Sequence, residues 1–115
     1  MAETPVVVQK AYEFNLWMIQ KAGSFPKSYR FSIGDRLVNG VLEILMRLVD
    51  AAYSRDKEKP LMEVNAMLNR IRFLLRLAKD LKLLTVESYG YAAENVEEIG
   101  RMVGGWRKSA ATGAK

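Results

Sequence analysis

The chain has 115 residues, a formal net charge of +5 and hydrophobic side chains at half of its positions. It contains neither cysteine nor histidine. Those absences exclude a disulfide framework and thiolate chemistry, and they remove the commonest general base and the commonest metal ligand.

A chain of this length buries a real core without staples, so the reading is one domain over residues 1–115. The longest apolar runs fall far short of a membrane span. Met1-Ala2-Glu3-Thr4-Pro5 lacks the charged-then-apolar pattern of a leader. Both points predict a soluble, cytoplasmic protein with no membrane partner.

The first predicted helix covers about 5–22, with Thr4 as N-cap and Pro5 at the first helical position. Its apolar stripe is Val7, Ala11, Phe14 and Met18, flanked by Tyr12, Leu16, Trp17 and Ile19. Gly23 ends it, and Phe25-Pro26 turns the chain. The second helix is predicted at about 28–54, with a core set that includes Phe31, Ile33, Leu37, Val41, Ile44 and Leu48. A second stripe runs through Val38, Leu42, Leu45, Val49 and Tyr53. Glu43 and Arg47 form a favourable i,i+4 pair. Gly34 and Gly40 weaken this helix by about 1 kcal/mol each, unless another helix approaches closely there.

Ser54-Arg55-Asp56-Lys57-Glu58-Lys59-Pro60 alternates in charge and reads as a solvated connector. The third helix, about 61–83, carries the densest feature of the chain. Residues 69–82 hold five cations and seven apolar side chains with no Gly or Pro. At helical spacing, Ile71, Leu74, Leu75, Ala78 and Leu81 make one apolar face. Asn65, Asn69, Arg72, Arg76 and Lys79 make a basic face. Ala66, Arg70, Phe73, Leu77 and Leu84 make a third, largely apolar one. A surface helix needs a single apolar stripe, so the extra stripe has something further to cover.

Thr85 caps the fourth helix, about 86–109. Its stripe is Tyr89, Ala92, Val96, Ile99, Val103 and Trp106. Acids lie in its first half and Arg101, Arg107 and Lys108 in its last, in the order the helix dipole favours. Gly100, Gly104 and Gly105 predict close packing of a neighbouring helix that leaves Trp106 a slot. Residues 110–115 read as a frayed tail.

Four helices with short connections predict an all-α fold, an up-down-up-down antiparallel four-helix bundle. The surplus apolar surface predicts a closed homo-oligomeric ring. The excess positive charge sits on the third helix, where Arg70, Arg72, Arg76, Lys79 and Lys82 outnumber Glu63 and Asp80. A basic patch is either a polyanion footprint or a solvated helix face.

Three segments carry a family resemblance. Phe25-Pro26-Lys27-Ser28-Tyr29-Arg30-Phe31-Ser32-Ile33-Gly34-Asp35-Arg36-Leu37 resembles the start of the second helix in the four-helix-bundle proteins encoded in ribosomal-RNA intervening sequences. Tyr91 to Trp106, with Ile99-Gly100-Arg101-Met102-Val103-Gly104-Gly105-Trp106 at its end, resembles the accessory variability determinant (Avd) branch. Arg70-Ile71-Arg72-Phe73-Leu74-Leu75-Arg76-Leu77 does so too. The resemblance spans about residues 8–109. It implies a pentameric ring with a positive surface and no catalytic activity or cofactor. It implies as partners the reverse transcriptase of a diversity-generating retroelement and its template RNA or cDNA.

For electrostatic contact with nucleic acid or polymerase, the residues singled out are Arg70, Arg72, Arg76, Lys79 and Lys82. Arg101, Arg107 and Lys108 form a second group. Arginine suits phosphate because its fork binds two oxygens at once. The competing reading for any one of them is an ion pair across the bundle, with Arg70 or Arg76 reaching the glutamates of the fourth helix. A scaffolding bundle is the alternative function. A helical enzyme of the chorismate mutase kind needs cations in a pocket beside a carboxylate or amide, and the third-helix cations read as facing away from the core stripe. Glu94, Glu97 and Glu98 without histidine make a poor di-metal site. Any nucleic-acid binding is expected to be backbone-directed.

Overall fold

A computed structural model describes residues 5–113. The elements are α1 (Val6–Gly23), the short α2 (Lys27–Tyr29), a π-helical turn (Arg30–Gly34), α3 (Asp35–Tyr53), α4 (Glu58–Asp80) and α5 (Val86–Ala111). The backbone stays helical through α2, the π turn and α3, so the molecule has four long helices. No strand occurs among the described residues. α3 packs on α1 and α4, and α5 packs on α4 and α1.

One shared core fills the space between the helices. α1 contributes Val7, Ala11, Phe14 and Met18, the stripe expected from its spacing. α3 contributes Leu37, Val41, Ile44 and Leu48, α4 Leu61, Val64, Leu68, Ile71, Leu75 and Ala78, and α5 Ala92, Val96, Ile99 and Val103. Each fully buried Leu or Ile contributes about 2 kcal/mol relative to exposure. Asn15 and Asn95 are the buried polar side chains among the described residues, and Asn15 joins two helices. Asn15 Nδ2 donates to Ala11 O (2.8 Å) and Val41 O (2.9 Å), tying α1 to α3 at that level.

Several boundaries differ from expectation. Thr4 lies outside the described residues, and α1 starts at Val6 with Pro5 in the capping position. The π turn was not foreseen. Its wider hydrogen-bond spacing holds an extra residue and rotates the side chains behind it. Phe31, expected in the core, is therefore 67% exposed. Gly34 turns inward, where a Cβ would stand 3.5 Å from Phe25 Cδ2 and 3.8 Å from Ala22 Cβ.

The 55–59 connector is not simply solvated. Lys57 Nζ donates to Ala51 O and Ser54 O, both at 2.8 Å, closing the C-terminus of α3. The same ammonium lies 5.9 Å from the Trp106 ring centroid. α4 begins three residues earlier than expected and ends at Asp80. Its end is set by Lys82, which has φ 63°. Leu83 N–H reaches Ala78 O (2.8 Å) and Lys82 N–H reaches Lys79 O (2.9 Å), the paired bonds of a Schellman stop. Glycine is the usual residue there, so a lysine costs about 1 kcal/mol.

Thr85 caps α5 as expected, accepting from Ser88 N–H at 2.9 Å. The helix continues past 109 to Ala111. The glycine expectation divides. Gly40 is a true close approach, since a Cβ there would lie 2.6 Å from Ile71 Cδ1. Gly100 sits under Arg72 and Leu68, but Gly104 and Gly105 face open space within this chain. No neighbouring helix covers them, and Trp106 finds its place against the core and Lys57 instead.

Candidate nucleic-acid interface

A rotation of about 100° per residue sorts the cations of α4 onto two seams. Arg72, Arg76 and Lys79 follow the α5 side of the helix. Arg70 follows the α3 side with Met67 and Leu74. On the α5 side, Arg72 Nη1 donates to Asn69 Oδ1 at 2.8 Å, and its Nη2 lies 3.6 Å from Glu97 Oε1. Lys79 Nζ sits 4.8 Å from the Tyr89 ring centroid, a cation–π contact that leaves the charge unneutralised. A cleft of ≈ 220 Å³ between Arg72, Leu75, Tyr89, Ala93 and Glu97 marks this seam. Arg76 is exposed, and among the described residues no carboxylate pairs with it or with Arg70. Lys82 is exposed at the corner where α4 ends.

α5 contributes two exposed cations, Arg101 and Lys108. Arg107 is engaged differently. Its Nη2 donates to Glu58 Oε2 at 2.6 Å and its Nε to Glu58 Oε1 at 3.3 Å. This two-point clasp joins the end of α5 to the start of α4. The hydrogen bond from Arg107 holds the Glu58 carboxyl below the usual glutamate range, and the same bond raises Arg107. Among the cations singled out from the sequence, cross-helix ion pairs are made by Arg72 and Arg107, not by Arg70 or Arg76.

Two of the four carboxylates of α5 face cations on other helices. Glu97 faces Arg72, and Glu98 pairs with Lys10 of α1 at 2.9 Å. The Lys10 hydrogen bond lowers the Glu98 carboxyl from its ordinary value. Among the described residues no group of three His, Cys, Asp or Glu side chains is placed to hold a metal ion. Among the described residues no helix is long and apolar enough to cross a membrane.

The α3 side of α4 holds a feature that spacing alone missed. Arg36, Asn39, Gly40 and Glu43 of α3 and Met67, Arg70, Ile71, Phe73 and Leu74 of α4 line a groove of ≈ 590 Å³. Arg70 therefore joins a second guanidinium, Arg36, that was not singled out. The link between them is the α3–α4 register, which the Gly40–Ile71 contact sets. Glycine at 40 is the only local hint of it. The groove does bring cations near a carboxylate and an amide, contrary to the expectation for α4. It is open to solvent, however, and Glu43 is drawn to Arg47 at 3.4 Å. Arg47 also meets Glu63 of α4 at 3.1 Å.

A family model described as bAvd-like matches residues 5–110. No curated protein matches the chain.

Proposed function

The chain belongs to the bAvd-like family, and from that membership we propose that it serves as a non-catalytic accessory subunit of a diversity-generating retroelement. In this reading it binds the reverse transcriptase and nucleic acid, template RNA or cDNA, and supports mutagenic cDNA synthesis and retrohoming. It works in the cytoplasm. The observation that carries the reading is the α4–α5 seam. Arg76 and Lys79 follow it without carboxylate partners among the described residues, Arg72 is only loosely held by Glu97 at 3.6 Å, and Lys82, Arg101 and Lys108 add exposed charge elsewhere on the surface. Such a surface attracts phosphate backbone by charge and releases counterions on binding. Arg107, clasped to Glu58, contributes to the fold more than to the footprint.

The assembly proposed is an up-down-up-down antiparallel bundle closed into a homopentamer. Contact registers support the antiparallel order. Arg107 meets Glu58 while Arg72 meets Glu97, and Asn15 meets Val41 while Ala22 meets Gly34. The ring contact is assigned to the α1–α3 face. There Tyr12, Leu16, Ile19, Leu42, Met46 and Tyr53 are exposed apolar side chains, and Ile19 and Val38 share one cleft across the two helices.

A scaffolding role without a retroelement is the second reading. It is favoured by the ion pairs that engage Lys10, Arg47, Arg72 and Arg107 between helices. A titration of fluorescent RNA at several salt concentrations separates the two. Binding is expected to weaken with salt, by roughly 0.7 in log–log slope for each phosphate neutralised on a single strand. Arg72→Ala/Arg76→Ala/Lys79→Ala should then flatten the slope by about 2. An absence of RNA binding at low salt would leave the scaffold reading, or contacts with the polymerase protein alone.

A further inference from the structure

The α3–α4 groove is separate from the α4–α5 seam and has a different chemistry. Its floor is apolar, built by Met67, Ile71 and Leu74. Its rim carries two guanidiniums, Arg36 and Arg70, and one aromatic ring, Phe73, that is 71% exposed. Asn39 and Glu43 stand on the α3 wall. At ≈ 590 Å³ the groove falls within the size range of sites that enclose small ligands or parts of large ones.

We propose that this groove takes a single-stranded nucleic-acid segment, with one unstacked base against Phe73 and its flanking phosphates on Arg36 and Arg70. The proposal rests on the reading that the chain binds nucleic acid, and it adds a second mode to the backbone contacts of the seam. Three features favour this occupant. An aromatic ring beside cations is the arrangement that holds single strands, since every base has a face to stack. Glu43 and Asn39 can accept from and donate to the edge of an unpaired base. In a duplex the base faces are stacked and the Watson–Crick edges are taken up by pairing.

The other occupants fit less well. A second copy of this chain would bury Arg36, Arg70 and Glu43 in an apolar contact, and unpaired buried charge is costly. The α1–α3 face offers apolar surface without that penalty. An acidic peptide would meet the two arginines but also the Glu43 carboxylate, and it would have no use for Phe73.

The test compares three probes: a short poly(U) strand, the same strand with abasic residues at its centre, and duplex RNA. Wild type, Phe73→Ala, Phe73→Tyr and Arg36→Ala/Arg70→Ala are titrated with each. Phe73 is on the surface, so its replacement leaves the core intact. Phe73→Ala should weaken poly(U) by roughly tenfold, the loss of one stacked base, and leave duplex binding unchanged. Phe73→Tyr, which keeps a ring, should bind as wild type does. The abasic strand should bind wild type as weakly as poly(U) binds Phe73→Ala. Equal losses for duplex and single strand, or no loss on poly(U), would overturn the groove assignment. So would a fall in sedimenting mass for Phe73→Ala, which would mark a contact between copies. Displacement of poly(U) by a polyglutamate peptide from wild type and Phe73→Ala alike would overturn it in favour of an acidic partner. If wild type binds poly(U) and the seam triple variant weakens it while Phe73→Ala does not, only the groove fails. If wild type binds no RNA, the nucleic-acid reading fails with it.

Discussion

The α1–α3 face and the outer surface of α4 both expose apolar side chains, yet they differ in what lies between. On α1 and α3, Tyr12, Leu16, Ile19, Leu42, Met46 and Tyr53 are exposed, and charge lies at one end, where Arg30 and Asp35 line the cleft with Ile19 and Val38. On α4, Met62, Phe73 and Leu77 alternate with Lys59, Arg70 and Arg76. A contact between protein copies must be dried, and cations resist drying. A contact with a polyanion stays wet and rewards cations. The same surplus of hydrophobic residues is therefore suited to self-association on one side and to nucleic acid on the other.

The largest effect expected from breaking this contrast comes from charge placed on the apolar face. Leu16→Asp with Leu42→Asp puts carboxylates where a partner copy would bury them. An uncompensated buried charge costs about 3–5 kcal/mol, so sedimentation should fall to the mass of one chain. Helical content should persist, because both positions are exposed in the single chain.

A smaller effect separates two kinds of glycine. Gly104 faces open space, so Gly104→Ala should stabilise the chain by about 1 kcal/mol through helix propensity alone. Gly40→Ala forces a methyl against buried Ile71, and should destabilise by about 1 kcal/mol after the propensity gain is offset by overpacking. Thermal melts of the two variants read both signs. If Gly104→Ala also weakens RNA binding, the bare stretch of α5 between Arg101 and Lys108 is where a phosphate backbone comes close.

The smallest effect concerns the clasp that closes the cationic side. Glu58 and Glu98 are held below the usual glutamate range by Arg107 and Lys10. A carboxyl depressed on folding adds stability that is present above its unfolded value and is lost as pH falls through the folded one. Wild type should therefore melt somewhat higher than Glu58→Gln at neutral pH, and the two curves should converge in acid. Both partners are exposed, so the gap is expected to be small and to shrink with salt.

Much of the fold was legible because spacing and burial coincide. The stripes of α1 and α5 read correctly from period alone, and so did the Thr85 cap. What failed to read depended on events off the local pattern. The π turn moves Phe31 outward and Gly34 inward without any break in composition. Lys82 stops α4 at a position where glycine would have announced the stop. Lys57 and Glu58, read as solvated, are committed to Ala51 and Arg107, residues that only the folded register brings near. The same holds for the candidate site. The basic residues of α4 were visible as a run, but their division between two seams was not. Arg36 became relevant only once Gly40 had set α3 against α4.

The most direct measurement takes RNA affinity and sedimenting mass together on two variants, the Leu16→Asp/Leu42→Asp pair and the Arg72→Ala/Arg76→Ala/Lys79→Ala triple. If the two faces divide the work, the aspartate pair becomes a single chain that still binds RNA in a salt-dependent way. The triple variant keeps its assembled mass and shows a flatter salt dependence. The opposite pattern, a triple variant that falls apart or an aspartate pair that stays assembled, would contradict the division.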